Sequence, residues 1–341
     1  MKWTKFRVVI CYSISVILTA YILMDTFILK DVYITGVNAV DTSSQFDELL
    51  SSIDDSDSSN SDKHKGKGGS ATGRATHKSH ASSSTATTAS LTTDLDVTDA
   101  DTIYESYSDE NISITVTEYV VNDTTVYVAD VSLSSAEYLK SAFANDTYGK
   151  NVTAKTSEIA DDNDAILAIN GDYYGAQETG YVIRNGFVYR STSDGDEDVL
   201  CIYANGTMDV VSTADYTAEE LVEAGVWQAY SFGPALVEDG TISVSTDEEV
   251  GQAMTSNPRT AIGIVDENHY LFVVSDGRTE ESEGLTLYEL ADFMQYLGAN
   301  TAYNLDGGGS STMYYLGQVI NNPTTTGTIK ERSVSDIVYI G

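Results

Sequence analysis

At 341 residues the chain has room for one large or two small domains. Its formal net charge is −34, and it is unevenly spread: residues 1–100 carry 12 acidic and nine basic residues, leaving 40 and nine of the chain's 52 and 18 from residue 101 onward. A domain so acidic repels nucleic acid, whose binding depends on Lys and Arg neutralising phosphates. Two cysteines, Cys11 and Cys201, exclude an intrachain disulfide framework, and the four histidines (His64, His77, His80, His269), three of them in a low-complexity tract, leave no Cys/His metal spacing.

Taken from the N-terminus, Lys2, Lys5 and Arg7 precede the apolar run Val8–Leu29. That run is long enough to span about 30 Å of hydrocarbon, and the basic residues before it put the N-terminus inside by the positive-inside rule. The reading is an uncleaved signal anchor in the cell membrane, with the remainder extracellular. Asp25 near the outer end of the run leaves a cleaved signal peptide as the alternative. Residues 54–93 are dominated by Ser, Thr, Gly and Ala, lack aromatic residues, and read as a flexible stalk. Just before it, "SQFDELLSSI" has the spacing of a short helix. The division is therefore a tip and transmembrane segment over 1–30, a linker over 31–100 and a globular domain over 101–341.

Two alternating runs open that domain, "ISITVTEYVV" and "TTVYVADVSL", and predict paired strands. Asn185-Gly186, Asn205-Gly206 and Asp239-Gly240 each lie between apolar runs and predict hairpin turns. "TAEELVEAG" and "TLYELADFMQYLG" carry Thr217/Glu220 and Thr286/Glu289 at capping-box spacing and end in Gly225 and Gly298, which predicts helices. The expected fold is α+β: mostly mixed or antiparallel β-sheets with a few packed helices, behind one transmembrane helix and a disordered stalk.

Four segments end or begin apolar strand-like runs with polar, chemically able residues. They are "AILAINGDYYG" with Asn170, Gly171, Asp172, Tyr173 and Tyr174; "NPRTAIGIV" with Arg259; "LFVVSDGR" with Asp276 and Arg278; and "TAYNLDGGGSS" with Asn304, Asp306, Gly307, Gly308, Gly309, Ser310 and Ser311. Each has a plainer reading as a turn or a surface charge. The last is the most specific, because a hairpin needs one or two glycines and ordering three in a row is costly. Successive backbone N–H groups in such a loop form an anion-binding nest. It lacks the Gly-Lys-Ser/Thr ending of a P-loop and the G-x-S-x-G of a nucleophile elbow. His269 sits beside the turn-like "DENH" and reads as a surface residue, against a Ser-His-Asp triad.

"NGDYYG", "SFGPALVEDG", "NPRTAIGIV", "SDGR" and "GLTLYELADFMQYLGANTAYNLDGGGSSTMYY" resemble, in that order, the phosphodiester glycosidase family, over roughly residues 110–341. The anchor and stalk lie outside the resemblance and are similar to those of bacterial members described as exopolysaccharide-related. The resemblance implies an α+β catalytic domain that hydrolyses a sugar-1-phosphodiester, a carbohydrate substrate drawn from a surface or exopolysaccharide glycoconjugate.

That chemistry suits these residues. Breaking C1–O expels a phosphate monoester, already a good leaving group, so a clamp for the anion matters more than a strong general acid. Arg grips phosphate bidentately, which makes Arg259 the first candidate and Arg278 the second, helped by the Gly307–Gly309 backbone with Ser310 and Ser311. An oxocarbenium-like transition state calls for a carboxylate as nucleophile or base: Asp306 first, with Asp172 and Asp276 as alternates. Asn170 and Asn304 suit sugar hydroxyls, and Tyr173 or Tyr174 a sugar face. Asp172, Asp276 and Asp306 are also hard oxygen donors that could hold Ca²⁺ or Mg²⁺. Two other classes stay open: a non-catalytic surface glycan-binding module in the same pocket, and a phosphodiesterase that cuts P–O in a wall glycopolymer.

Overall fold

The computed structural model describes residues 32–61, 95–246 and 256–341. Every strand pair among them is antiparallel. The two runs read as strands are strands, Ile112–Val121 and Thr124–Leu133, paired in continuous register. The three Asn/Asp-Gly dipeptides close hairpins, with positive φ at Asn185, Gly186, Gly206, Asp239 and Gly240. Both capping boxes are present, opening the helices Ala218–Glu223 and Leu287–Tyr296, with Gly225 and Gly298 at positive φ just past their ends.

A nine-stranded sheet forms the backbone of the fold, running from Thr241–Ile242 through Ala235–Glu238, Thr301–Leu305, Arg259–Asp266, His269–Ser275, Thr124–Leu133 and Ile112–Val121 to Val97–Ile103, with Tyr107–Ser108 also paired to Ile112–Val121. The pleat sends alternate residues to opposite faces. One face (Ala261, Leu271, Val273, Ala302) is covered by Leu287, Leu290, Ala291, Phe293 and Met294 of the helix Leu287–Tyr296. The other (Ile114, Ala129, Ile262, Phe272, Tyr303) shares one core with Leu200, Ile202 and Tyr230 from a five-stranded sheet and with Leu167, Ile169 and Val338 from a second. Each smaller sheet has its own helix outside it, Ala218–Glu223 over the first and Thr156–Asp162 over the second. The fold is thus strand-rich with a few packed helices, and all its described sheets are antiparallel.

The boundaries differ from the sequence reading at the N-terminal side. The strand Val97–Ile103 straddles the expected start at 101 and joins the large sheet. The stretch assigned to the linker includes the helix Ser43–Ser61, at the place of the predicted helical spacing. Phe46 and Leu49 of that helix are buried against Ala136, Ala204 and Trp227, so residues 32–53 belong to the folded unit. The low hydrophobicity of the neighbouring stretch 54–93 hid this. Among the described residues no helix is long and apolar enough to cross a membrane; the run Val8–Leu29 and most of the Ser/Thr-rich stalk lie outside them.

Candidate functional site

Antiparallel register brings three chain segments to one end of the large sheet. Arg259 begins its strand opposite Ser275, the last residue of the next strand, so Asp276-Gly277-Arg278 emerges beside it. On the other side Thr260 pairs with Leu305, the last residue of its strand, so Asp306 emerges there too. The glycine run then crosses from the large sheet to a smaller one, where Met313 pairs with Ile169. Phe232, Asn257, Arg259, Arg278, Asn304 and Arg332, with the loop Leu305–Gly308, line a cleft of about 150 Å³.

Asp306 is 8% exposed. Its Oδ2 accepts from Arg332 Nη2 at 2.8 Å. Arg332 also donates to Ser310 Oγ, from Nε at 2.8 Å and from Nη2 at 2.6 Å. Its backbone N–H donates to Gly309 O at 3.1 Å, so both ends of the residue are tied to the glycine loop. Burial raises the Asp306 carboxyl above the usual carboxylate range, and Arg332 and Ser310 only partly offset it. Arg259 is 4% exposed, with Nε donating to Leu285 O at 2.8 Å. Burial and the Arg278 guanidinium push Arg259 down to about 10, so it remains charged at neutral pH. Arg278 donates from Nε and Nη2 to Asn257 Oδ1 at 3.1 and 2.8 Å. Three of the five arginines between residues 101 and 341 therefore meet at one cleft, against a single carboxylate among its lining residues.

The glycines serve a different purpose from the one expected of them. Gly308 N–H donates to Pro258 O at 2.8 Å, and Ser310 and Ser311 N–H close a 3-10 turn on the carbonyls of Gly307 and Gly308. These three N–H groups are used within the protein and are not free for an anion. A Cβ on Gly307 would lie 2.9 Å from Pro258 O, and one on Gly309 would lie 2.6 Å from Thr325 Oγ1. At Gly308 φ is +63°, and a Cβ would lie 2.9 Å from Arg278 Nη2. The loop is stripped of side chains so that the protein itself, Arg278 included, can pack against it. Ser310 and Ser311 are both buried, Ser310 under Arg332.

The other two aspartates do not join Asp306. Asp172 is fully buried, paired with Arg184 Nη2 at 2.9 Å and accepting Ser231 N–H at 2.9 Å. Arg184 Nε donates to Asp336 Oδ2 at 2.8 Å and its guanidinium stacks on the Tyr230 ring at 4.0 Å. Burial holds Asp336 well above the usual carboxylate range. Asp172 is thus committed to a buried ion cluster. Asp276 is also buried and accepts Asn322 N–H at 2.8 Å, Asn322 Nδ2 at 3.0 Å and Asn321 Nδ2 at 3.2 Å, which clamps the 321–322 turn under the glycine loop. With the three carboxylates turned to separate partners, they do not assemble the expected Ca²⁺ or Mg²⁺ ligand set, and no group of three His, Cys, Asp or Glu suited to a metal occurs among the described residues.

Asn170 is a buried clasp: Nδ2 donates to Asp306 O at 2.6 Å, and Oδ1 accepts from Thr260 Oγ1 at 2.9 Å. Gly171 has no room for a side chain because Asp336 lies against it, and its carbonyl accepts Asp306 N–H at 3.3 Å. Both support Asp306 from behind the cleft. Asn304 does line it, with Nδ2 bound to Gly233 O at 2.8 Å and Oδ1 buried without a hydrogen bond. Tyr173, 43% exposed, is not among the lining residues but lies beside one of them, its ring centre 5.8 Å from Arg332 Cζ. Tyr174 is buried and stacks on Tyr148. His269 pairs with Asp130 at 3.0 Å on the sheet surface, as its turn-side position suggested. Sequence reading missed Arg332, Asn257, Arg184 and Asp336.

A family model described as phosphodiester glycosidase matches residues 163–341. Among curated proteins, an SPbeta prophage-derived uncharacterized protein of Bacillus subtilis (strain 168) is 27% identical over 163 residues, 46% of this chain and 25% of that protein. N-acetylglucosamine-1-phosphodiester alpha-N-acetylglucosaminidase of Mus musculus is 30% identical over 109 residues, 31% of this chain and 21% of that protein. The matches span about a quarter or less of these relatives' length. Among solved structures, the zebrafish N-acetylglucosamine-1-phosphodiester alpha-N-acetylglucosaminidase catalytic domain, auto-inhibited by its pro-peptide, superposes with a TM-score of 0.54 at 20% identity, covering 72% of this chain and 87% of that one. At that identity the likeness establishes the fold.

Proposed function

The chain belongs to the phosphodiester glycosidase family, and from that premise we propose that it hydrolyses a sugar-1-phosphodiester at the C1–O bond. The observation that carries the reading is the convergence of Arg259, Arg278 and Arg332 on one cleft beside buried Asp306, in a domain otherwise so acidic. Such a cleft draws an anion where the rest of the surface repels one.

The diester phosphate lies among the three guanidiniums, with the anomeric carbon toward Asp306 and the sugar face on Tyr173. As C1–O breaks, its electron pair goes to the phosphate oxygen and a phosphate monoester leaves. The arginines stabilise the charge that grows on it, which is what separates a catalytic contact from mere binding. Asp306 takes the proton of the water whose oxygen bonds to C1. Its raised proton affinity suits that step. Arg332 and Ser310 hold the carboxylate in place.

The test is turnover of defined sugar-1-phosphodiesters in ¹⁸O water, starting with N-acetylglucosamine-1-phosphodiester, the compound in the mouse relative's name. Label in the released sugar is the expected result. Label in phosphate means P–O cleavage, and binding without turnover means a glycan-binding module; either overturns the proposal.

For location, the proposal is a membrane-anchored enzyme with its cleft outside the cell, acting on a surface or exopolysaccharide glycoconjugate. The basic start and the apolar run Val8–Leu29 support it. Removing residues 1–31 is expected to move the protein from the membrane to the soluble fraction. An impermeant amine reagent on intact cells is expected to label Lys150 and Lys155; protection of both would place the domain inside.

A further inference from the structure

Residues 32–53 are bound to the catalytic domain by a built interface. Ile34 and Thr35 pair with Tyr148 and Thr147. Gly36 N–H donates to Asp146 O at 2.8 Å. Asn38 imitates a further strand residue: its Nδ2 donates to Phe143 O at 2.9 Å, and its Oδ1 accepts Phe143 N–H at 2.8 Å. Val37 is buried with Phe143, Tyr148, Tyr174 and Val182.

The helix Ser43–Ser61 then lays Phe46 edge-on to Trp227, ring centres 5.0 Å apart, beside Leu49. Three domain glycines leave room for this segment. A Cβ on Gly149 would lie 2.3 Å from the Tyr33 ring, one on Gly186 2.8 Å from Gln45, and one on Gly225 2.5 Å from Ile53. None of the residues holding the segment lines the Asp306 cleft, so the segment leaves that cleft open.

We infer that residues 32–53 are a clasp that holds the catalytic domain without need of the covalent connection through residues 62–94. The surface built by Phe143, Asp146, Gly149, Gly186, Gly225 and Trp227 is a docking site whose occupant is this chain's own N-terminal segment. A cut between 62 and 94, a stretch containing Lys63, Lys65, Lys67, Arg74 and Lys78, leaves the domain attached to whatever residues 1–31 are attached to. The stretch therefore does not act as the sole tether. The combination of strand pairing, backbone-like Asn38 bonds and buried aromatic contact gives the interface both apolar area and register.

The experiment uses the full chain with an affinity tag at its N-terminus and a site-specific protease sequence inserted near residue 78. After complete cutting, the piece beginning near residue 79 is expected to stay on the affinity resin with the tagged piece under non-denaturing conditions, and to elute in mild denaturant. Its appearance in the flow-through overturns the clasp. Phe46→Asp combined with Leu49→Asp is expected to shift most of the cut piece to the flow-through; retention equal to the unsubstituted protein would assign the interface elsewhere. Because the readout is association, its result is independent of the catalytic reading.

Discussion

Arg332 reaches back 26 positions to place its Nη2 2.8 Å from Asp306 Oδ2, while the same guanidinium spans Ser310 Oγ. The pair joins the one carboxylate that lines the cleft, itself buried, to a half-buried cation. Asp306 is held by burial in a state that favours the proton, and Arg332 pulls the other way. A carboxylate held between those two forces binds a proton more readily than an ordinary one, which suits a base.

Asp306→Asn tests that balance twice. The shape is kept and the charge is lost, so turnover is expected to fall at least ~100-fold, the lower range for general acid–base catalysis, with substrate still bound. Stability should go the other way. A carboxyl whose folded pKa is raised contributes stability that is fully present below its unfolded value and is lost as pH rises through its folded value. The melting temperature of the unsubstituted protein, measured against Asp306→Asn, is therefore expected to decline as pH rises from the ordinary carboxylate range upward. A difference that grows with pH in favour of the unsubstituted protein would contradict the raised proton affinity.

Arg332→Ala removes the main force opposing protonation of Asp306. The acid limb of the pH–rate profile is expected to move to higher pH, together with a loss of kcat. Arg332→Lys keeps a charge but not the two-pronged hold on Ser310, so partial recovery is expected. An acid limb that stays in place in Arg332→Ala would separate Arg332 from the titrating group.

Arg259 and Arg278 make a contrast that activity alone cannot give. Buried Arg259 donates to Leu285 O, which also accepts Asn257 N–H, so Arg259→Ala is expected to lower turnover and also stability, by about 1.5–3 kcal/mol for the lost hydrogen bond from a charged donor. The Arg278 side chain is held through Asn257 and is exposed. Arg278→Ala is expected to lower turnover with a much smaller change in melting temperature. Equal melting losses in the two would mean that Arg278 is structural.

Asp172 looked equal to Asp306 in the sequence, and its partners make it a structural residue. Asp172→Ala leaves Arg184 with one buried carboxylate, which itself favours the proton. Removing one member of a buried ion pair costs about 3–5 kcal/mol. The expected outcome is a large drop in melting temperature, with kcat of the remaining folded protein near that of the unsubstituted one.

Local signals carried much of the architecture. Alternation gave Ile112–Val121 and Thr124–Leu133 to the residue, and the capping boxes gave two of the domain's three described helices, Thr156–Asp162 being the one missed, because strand pleat and helix caps are written in neighbouring residues. What escaped was non-local. Asp172, Asp276 and Asp306 each follow a strand and precede a Gly or an aromatic; only partners far along the chain, Arg184, Asn321 and Asn322, and Arg332, tell them apart. "TIKERSVS" around Arg332 has no pattern of its own. The usable signal was scarcity: with five arginines from residue 101 onward, each had to be accounted for. An Arg in the buried strand Val182–Arg184 likewise called for an acidic partner. The clasp escaped because residues 32–53 lie between the apolar run Val8–Leu29 and a polar tract and read as a continuation of the linker.

Gly308 brings the glycine loop and the arginine cluster into one test. Its φ of +63° suits glycine, and an added methyl would stand 2.9 Å from Arg278 Nη2. The backbone strain is about 1–2 kcal/mol for an L-residue, whereas the Arg278 side chain end can swing away. Gly308→Ala is therefore expected to lower the melting temperature modestly and to displace the Arg278 guanidinium from Asn257 and the cleft. The displacement can be isolated by comparison. If Gly308→Ala acts through Arg278, then its loss of turnover and that of Arg278→Ala should overlap, and the double substitution should be little worse than Arg278→Ala alone. Fully additive losses would mean that Gly308 acts on the cleft by another route, through Asp306 and the turn that carries it.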